Sequence, residues 1–100
     1  MQEKIIQKTI LQYLAYIKDL YFFRAGSGAI KTEKGGYFKS GKKGCPDIIC
    51  CYKGKFIGLE VKNEKGKISE YQKQAERDIS KAGGEYYMVR SVDDVIKIIN

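Results

Sequence analysis

The chain of 100 residues contains no histidine, and that absence removes Ser-His and Cys-His catalysis from consideration. Three cysteines, an odd number, cannot complete a disulfide framework, and without histidine they cannot complete a four-ligand zinc site. Buried reduced thiols are the expectation for Cys45, Cys50 and Cys51. No apolar run approaches the roughly 18 residues that a membrane span needs, and no tripartite leader opens the chain. An intracellular, cytoplasmic protein without membrane contact is therefore expected. Internal repeats, low-complexity tracts and domain boundaries are also missing, so residues 1–100 read as one domain that can bury a modest core.

What remains for chemistry is carboxylates, lysines and bound metal. Charged residues make up 31% of the chain, and 19 Lys+Arg against 12 Asp+Glu leave a net charge of +7. An excess of this sign is the electrostatic footprint of a polyanion binder, and DNA is the expected partner.

Acidic side chains converge in one place. Gly44-Cys45-Pro46-Asp47 precedes Ile48, Ile49, Cys50, Cys51 and Tyr52. Lys53-Gly54 then breaks the run before Lys55 to Leu59 and Glu60-Val61-Lys62. Two β-favouring runs around a two-residue turn form a hairpin. If Tyr52 faces Lys55, Asp47 faces Glu60 with side chains about 5 Å apart on one face, and Lys62 points the same way. Like charges held opposite each other destabilise a sheet unless a cation lies between them. A hard divalent ion with oxygen ligands suits that position.

Around the hairpin, Ile6, Ile10, Tyr13, Leu14 and Ile17 predict an amphipathic helix over residues 2 to about 19. Glu3 lies at its N-terminal edge, where it either complements the helix dipole or extends toward the site. Leu20 to Arg24 reads as a strand. The stretch from Ala25 to Cys45 is rich in Gly and Lys, including Lys31, Lys34, Lys39, Lys42 and Lys43, with Tyr37 and Phe38 among them. Such a segment suits phosphate contact with base stacking. It otherwise reads as a solvated loop with a short extra strand at Tyr37 to Lys39.

Ser69 and Gln72 match a capping box opening a helix to about Ala82, stopped by Gly83-Gly84. Glu85 to Arg90 contains a buried strand, and Ser91 caps a last helix through Val92, Val95, Ile96 and Ile99. The expected class is α/β in the order αβββαβα, with a four-stranded mixed sheet flanked by helices and a right-handed parallel crossover.

Pro46-Asp47 followed by Glu60-Val61-Lys62, in this α/β order, resembles the PD-(D/E)XK nuclease superfamily. Within it the chain looks most like the compact stand-alone phage and bacterial members of the VRR-NUC (virus-type replication-repair nuclease) family. The likeness extends from Glu3 and Arg24 through Gly44 and Gln72 to Gly83-Gly84 and the run Tyr87 to Asp94. Cys45 departs from it, standing where serine or threonine is common.

The resemblance implies a restriction-endonuclease-like core and a Mg²⁺- or Mn²⁺-dependent deoxyribonuclease. Asp47, Glu60 and the Val61 carbonyl would ligate the metal, with Glu3 acting directly or through water. Lys62 would orient the attacking water and counter phosphate charge, and Gln72 would support it. Arg24 and the loop lysines would contact DNA. The implied substrate is branched DNA such as a four-way (Holliday) junction, cut by a homodimer in repair, recombination or phage replication. A non-catalytic DNA-binding module and a sequence-specific restriction-type endonuclease are the competing readings. Each residue also has a plainer role: Asp47 could start a strand, Glu60 and Lys62 could be an exposed pair, and Gln72 could serve only the cap.

Overall fold

A computed structural model describes residues 1–25, 29–31, 33–34, 37–39 and 42–100, with the side chains of 29–31 and 37–39 outside the described set. Helix α1 (Glu3–Leu14) buries Ile6, Ile10 and Leu14, one residue per turn along one stripe. It ends earlier than the apolar spacing predicts. Tyr16 and Ile17 bond back to Tyr13 and Leu14, tightening the last turn, and Asp19 takes a left-handed φ of 57° that redirects the chain into strand β1 (Leu20–Arg24).

Strands β2 (Ala29–Lys31) and β3 (Tyr37–Lys39) pair as a separate two-stranded sheet. The extra strand anticipated at Tyr37 to Lys39 is therefore present, and Ala29–Lys31 is a partner that the sequence reading did not include. Strands β4 (Ile48–Tyr52) and β5 (Lys55–Val61) form the expected hairpin, with Tyr52 opposite Lys55 and Ile48 opposite Leu59. Lys53 and Gly54 both have positive φ, 53° and 80°, the signature of a type I′ turn whose twist matches the strands.

Helix α2 (Glu70–Lys81) starts at a complete Ser69–Gln72 capping box. It stops at Ala82 with Gly84 N–H on Ile79 O and Gly83 N–H on Ser80 O, a Schellman motif made accessible by Gly83 at φ 93°. Strand β6 (Glu85–Val89) then runs parallel to β5. Helix α3 (Val92–Ile96), capped by Ser91, is one turn shorter than expected, although Ile99 beyond it is fully buried. The main sheet has the order β1-β4-β5-β6 and is mixed, so the architecture is α/β with a four-stranded sheet between helices.

One face of that sheet carries Ile48, Cys50, Ile57, Leu59, Val61 and Val89, which pack with α1, Val95 and Ile99 into the core. The other face carries Ile49, Cys51, Phe56, Gly58, Glu60 and Tyr86, and α2 lies over its β6 side. Of the cysteines only Cys50 is buried, where loss of water pushes its thiol up to about 11; Cys45 is half-buried and Cys51 is exposed. Among the described residues no helix is long and apolar enough to cross a membrane.

Candidate active site

The hairpin register, carried one residue past Ile48–Leu59, sets Asp47 opposite Glu60. Asp47 is fixed from two sides: its carbonyl accepts from Ala25 N–H at 2.8 Å, and its Oδ2 accepts from Val61 N–H at 2.8 Å. The first bond ties it to the end of β1 and the second to the strand carrying Glu60. Pro46 seats this corner against Gly58, where a Cβ would come within 2.5 Å of the proline ring. The glycine is required by that close approach.

Glu60 is the buried acid of the chain, 3% exposed. Its Oε2 accepts from Gln72 Nε2 at 2.9 Å and lies 3.7 Å from Lys62 Nζ, whereas its Oε1 is buried without a hydrogen-bond donor. Burial pushes the Glu60 carboxyl up to about 8, and the adjacent Asp47 charge and a hydrogen bond with Asp47 add to the rise. Lys62 opposes the shift and the Glu3 charge contributes to it. In the absence of a cation, the charged form of Glu60 is therefore disfavoured. An orphaned buried oxygen and a suppressed ionisation describe a site short of positive charge.

Gln72 serves two structures at once. Its Oε1 accepts from Ser69 N–H at 2.9 Å, closing the capping box, while its Nε2 reaches Glu60. The cap and the carboxylate contact are therefore not alternatives. Lys62 is held by its stem: Gly66 lies so close that a Cβ there would meet the Lys62 side chain at 3.1 Å. The turn bearing Gly66 is pinned by Arg90, whose guanidinium donates to Asn63 O and, at 3.1 Å, to Gly66 O.

Glu3 sits in the first turn of α1, half-buried, consistent with a dipole role, and is near enough for its charge to act on Glu60. It does not complete a cluster: among the described residues no three acidic or sulfur side chains are gathered in a metal-binding group. Asp47 and Glu60 are the two acids brought face to face. Their hard oxygen donors suit Mg²⁺ or Mn²⁺, and the unpartnered Glu60 Oε1 supplies an open ligand position.

Arg24 closes β1 at the surface, with Nε donating to Gln7 Oε1 at 2.8 Å. Lys34 and Lys42 are exposed, and Lys43 folds its Nζ 3.9 Å over the Tyr71 ring at the start of α2. Lys31 and Lys39 lie on β2 and β3, and their side chains fall outside the described residues, as do the neighbouring loop glycines Gly26, Gly28, Gly35, Gly36 and Gly41.

Two further residues belong to the site's surroundings. Tyr86, beside Gly58 in the parallel register, has a buried hydroxyl without a partner. Burial raises its pKa, and so do the Glu60, Glu76, Asp47 and Cys45 charges. Arg90 is the second, through the Lys62 turn. The signal for Tyr86 was its parity with Met88, the neighbour of Glu60; Arg90 fell within the run Tyr87 to Asp94 that carries the resemblance, without a role assigned to it.

No protein-family model matches the chain, and no curated protein matches it. A solved structure described as "VRR_NUC domain" is similar to it, with TM-score 0.68 and 21% identity over 96% of this chain and 91% of that one. The chain thus has the fold of a VRR_NUC domain, along nearly its whole length.

Proposed function

We propose that the chain is a metal-dependent DNA endonuclease. The observation that supports this most directly is the pairing of Asp47 with a buried Glu60 whose Oε1 has no partner. A structural role for two facing acids would leave that arrangement uncompensated, and a similar fold described as a VRR_NUC domain points the same way.

In this reading Asp47, Glu60 and the Val61 carbonyl would hold Mg²⁺ or Mn²⁺, with Glu3 acting at the same site directly or through water. A bound divalent ion lowers the pKa of water and neutralises charge on a phosphodiester. Lys62, beside Glu60, orients the attacking water and balances charge developing on the phosphate. Gln72 holds Glu60 in the rotamer that faces Asp47. Arg24, Lys31, Lys34, Lys39, Lys42 and Lys43 contact the DNA backbone. Branched DNA such as a four-way junction is the substrate, and a homodimer supplies the second active site that paired incisions need. Repair, recombination or phage replication is the setting.

The test is a panel of labelled junction, flap, duplex and single-stranded DNAs incubated with Mg²⁺, Mn²⁺ or EDTA, beside Glu60→Ala. Metal-dependent cutting, strongest on the junction and lost in Glu60→Ala, is expected. Binding of DNA without cleavage in either metal would leave a non-catalytic DNA-binding module.

A further inference from the structure

Helix α2 has an apolar stripe that the fold does not bury. Tyr71, Ala75 and Ile79 recur every four residues, yet no residue of the helix is fully buried. Tyr71 is 55% exposed, and Phe56, on β5 near Ile79, is 41% exposed. Between them lies a groove of about 410 Å³, also lined by Pro46 and Ile49. That volume falls in the range of roughly 300–1,000 Å³ typical of small-molecule pockets.

The walls are set by close packing. A Cβ on Gly44 would come within 2.3 Å of Tyr71 O, so the 42–46 segment is seated on the first turn of α2. A Cβ on Gly84 would press into Ile79 and Phe56 at 2.9 and 3.1 Å, so the far end is equally tight. Lys42 and Lys43 stand at the lining, and Gln74 with Asp78, joined by a 2.9 Å hydrogen bond, adds polar atoms along the helix. Pro46, one wall of the groove, is bonded directly to Asp47.

The geometry points to a slot for an unpaired nucleobase of the DNA next to the scissile phosphate, an inference that rests on the nuclease reading above. Aromatic faces and aliphatic walls suit a base, which stacks without sequence preference. The two ammonium groups suit the phosphates on either side of it. Gln74 and Asp78 line the slot with polar atoms, the Gln74 amide being held between Asp78 Oδ1 and the Arg77 guanidinium. A second copy of the chain fits the groove less well, because it would bring another chain of net charge +7 onto a lining that already carries Lys42 and Lys43.

The experiment is an abasic scan in EDTA, where the DNA stays intact. A labelled duplex with a single-stranded arm carries one abasic residue at each position in turn, and binding is read by fluorescence anisotropy for wild type, Tyr71→Ala and Phe56→Ala. One abasic position is expected to weaken wild-type binding by about 5- to 100-fold, as the loss of one stacked base does. Neither variant should respond to that position, and both should bind the intact DNA as weakly as wild type binds the abasic one. 2-Aminopurine at the same position should be quenched by wild type and by Tyr71→Phe, and not by Tyr71→Ala. A flat scan in a protein that still binds and cuts DNA overturns the slot and leaves the nuclease. Failure to bind any DNA in the panel overturns both. Variants that convert a dimer to monomers without altering the scan would assign the groove to a second copy instead.

Discussion

Gln72 donates to Glu60 Oε2 from Nε2 at 2.9 Å while its Oε1 accepts from Ser69 N–H at the same distance. The start of α2 and the rotamer of the buried acid are therefore set by one amide. Gln72→Glu keeps an acceptor for Ser69 and favours the helix dipole, but it places a third carboxylate against Glu60. The expected result is a lower melting temperature in EDTA that recovers on adding Mn²⁺. Gln72→Ala instead loses the cap partner as well and should cost about 1 kcal/mol with or without metal. Thermal melts of both variants in EDTA and in Mn²⁺ check this.

The Glu60 carboxyl, ordinarily near 4.5, is pushed up to about 8 by burial and by Asp47. Below 4.5 the folded and unfolded chains both hold this proton, and between the two values only the folded chain does. The unfolded state then binds fewer protons, so metal-free stability falls as pH rises through this window and levels off above it. Glu60→Gln should abolish this component of the slope. Asp47→Asn should shrink it, because the nearby charge goes while an oxygen remains for Val61 N–H. Urea denaturation in EDTA across pH 4 to 9 (about the window in question) is the measurement.

The geometry of the candidate site was legible in the sequence because its register is local. A two-residue turn at Lys53-Gly54 fixes every cross-strand pair, so Asp47 opposite Glu60 followed from counting, as the Ser69–Gln72 box followed from spacing. What depended on distant packing was not legible. The Glu60–Tyr86 neighbourhood is set by the parallel β5–β6 register, which a crossover of more than twenty residues establishes and no turn encodes. The Arg90 clasp on Asn63 and Gly66 spans the same crossover. Ile17 continues the helical spacing of α1, but the chain must turn at Asp19 to enter the sheet, and that requirement overrides local propensity. Cys51 is exposed because α2 covers the β6 side of its face and leaves the β1–β4 side open, a property of the assembled sheet.

DNA affinity should fall linearly on logarithmic axes with salt, each neutralised phosphate contributing about 0.9 to the slope. Lys42 is exposed, and Lys43 is held over Tyr71 beside the groove. Replacing both by alanine should flatten the slope by about 2 if each meets a phosphate. Anisotropy titrations in EDTA over a range of KCl concentrations read it directly, and an unchanged slope would remove these lysines from the interface.

Gly44 links the segment carrying Lys42 and Lys43 to the candidate site. Its φ of +83° is costly for any side chain, and a Cβ would lie 2.3 Å from the Tyr71 carbonyl, a backbone atom that cannot swing aside. Gly44→Ala must therefore lift residues 42–45 from α2 while Pro46 stays seated against Gly58, with a stability loss of about 1–3 kcal/mol. Asp47, three residues on, is bonded to Ala25 and Val61 rather than to this segment, and should stay in place. Gly58→Ala acts at the other contact: its Cβ would strike Pro46 and displace the residue bonded to Asp47 itself. Both variants should be less stable by urea denaturation. Mn²⁺ affinity measured by calorimetry should fall in Gly58→Ala and hold in Gly44→Ala, since the first shift reaches Asp47, the proposed ligand, and the second stops short of it.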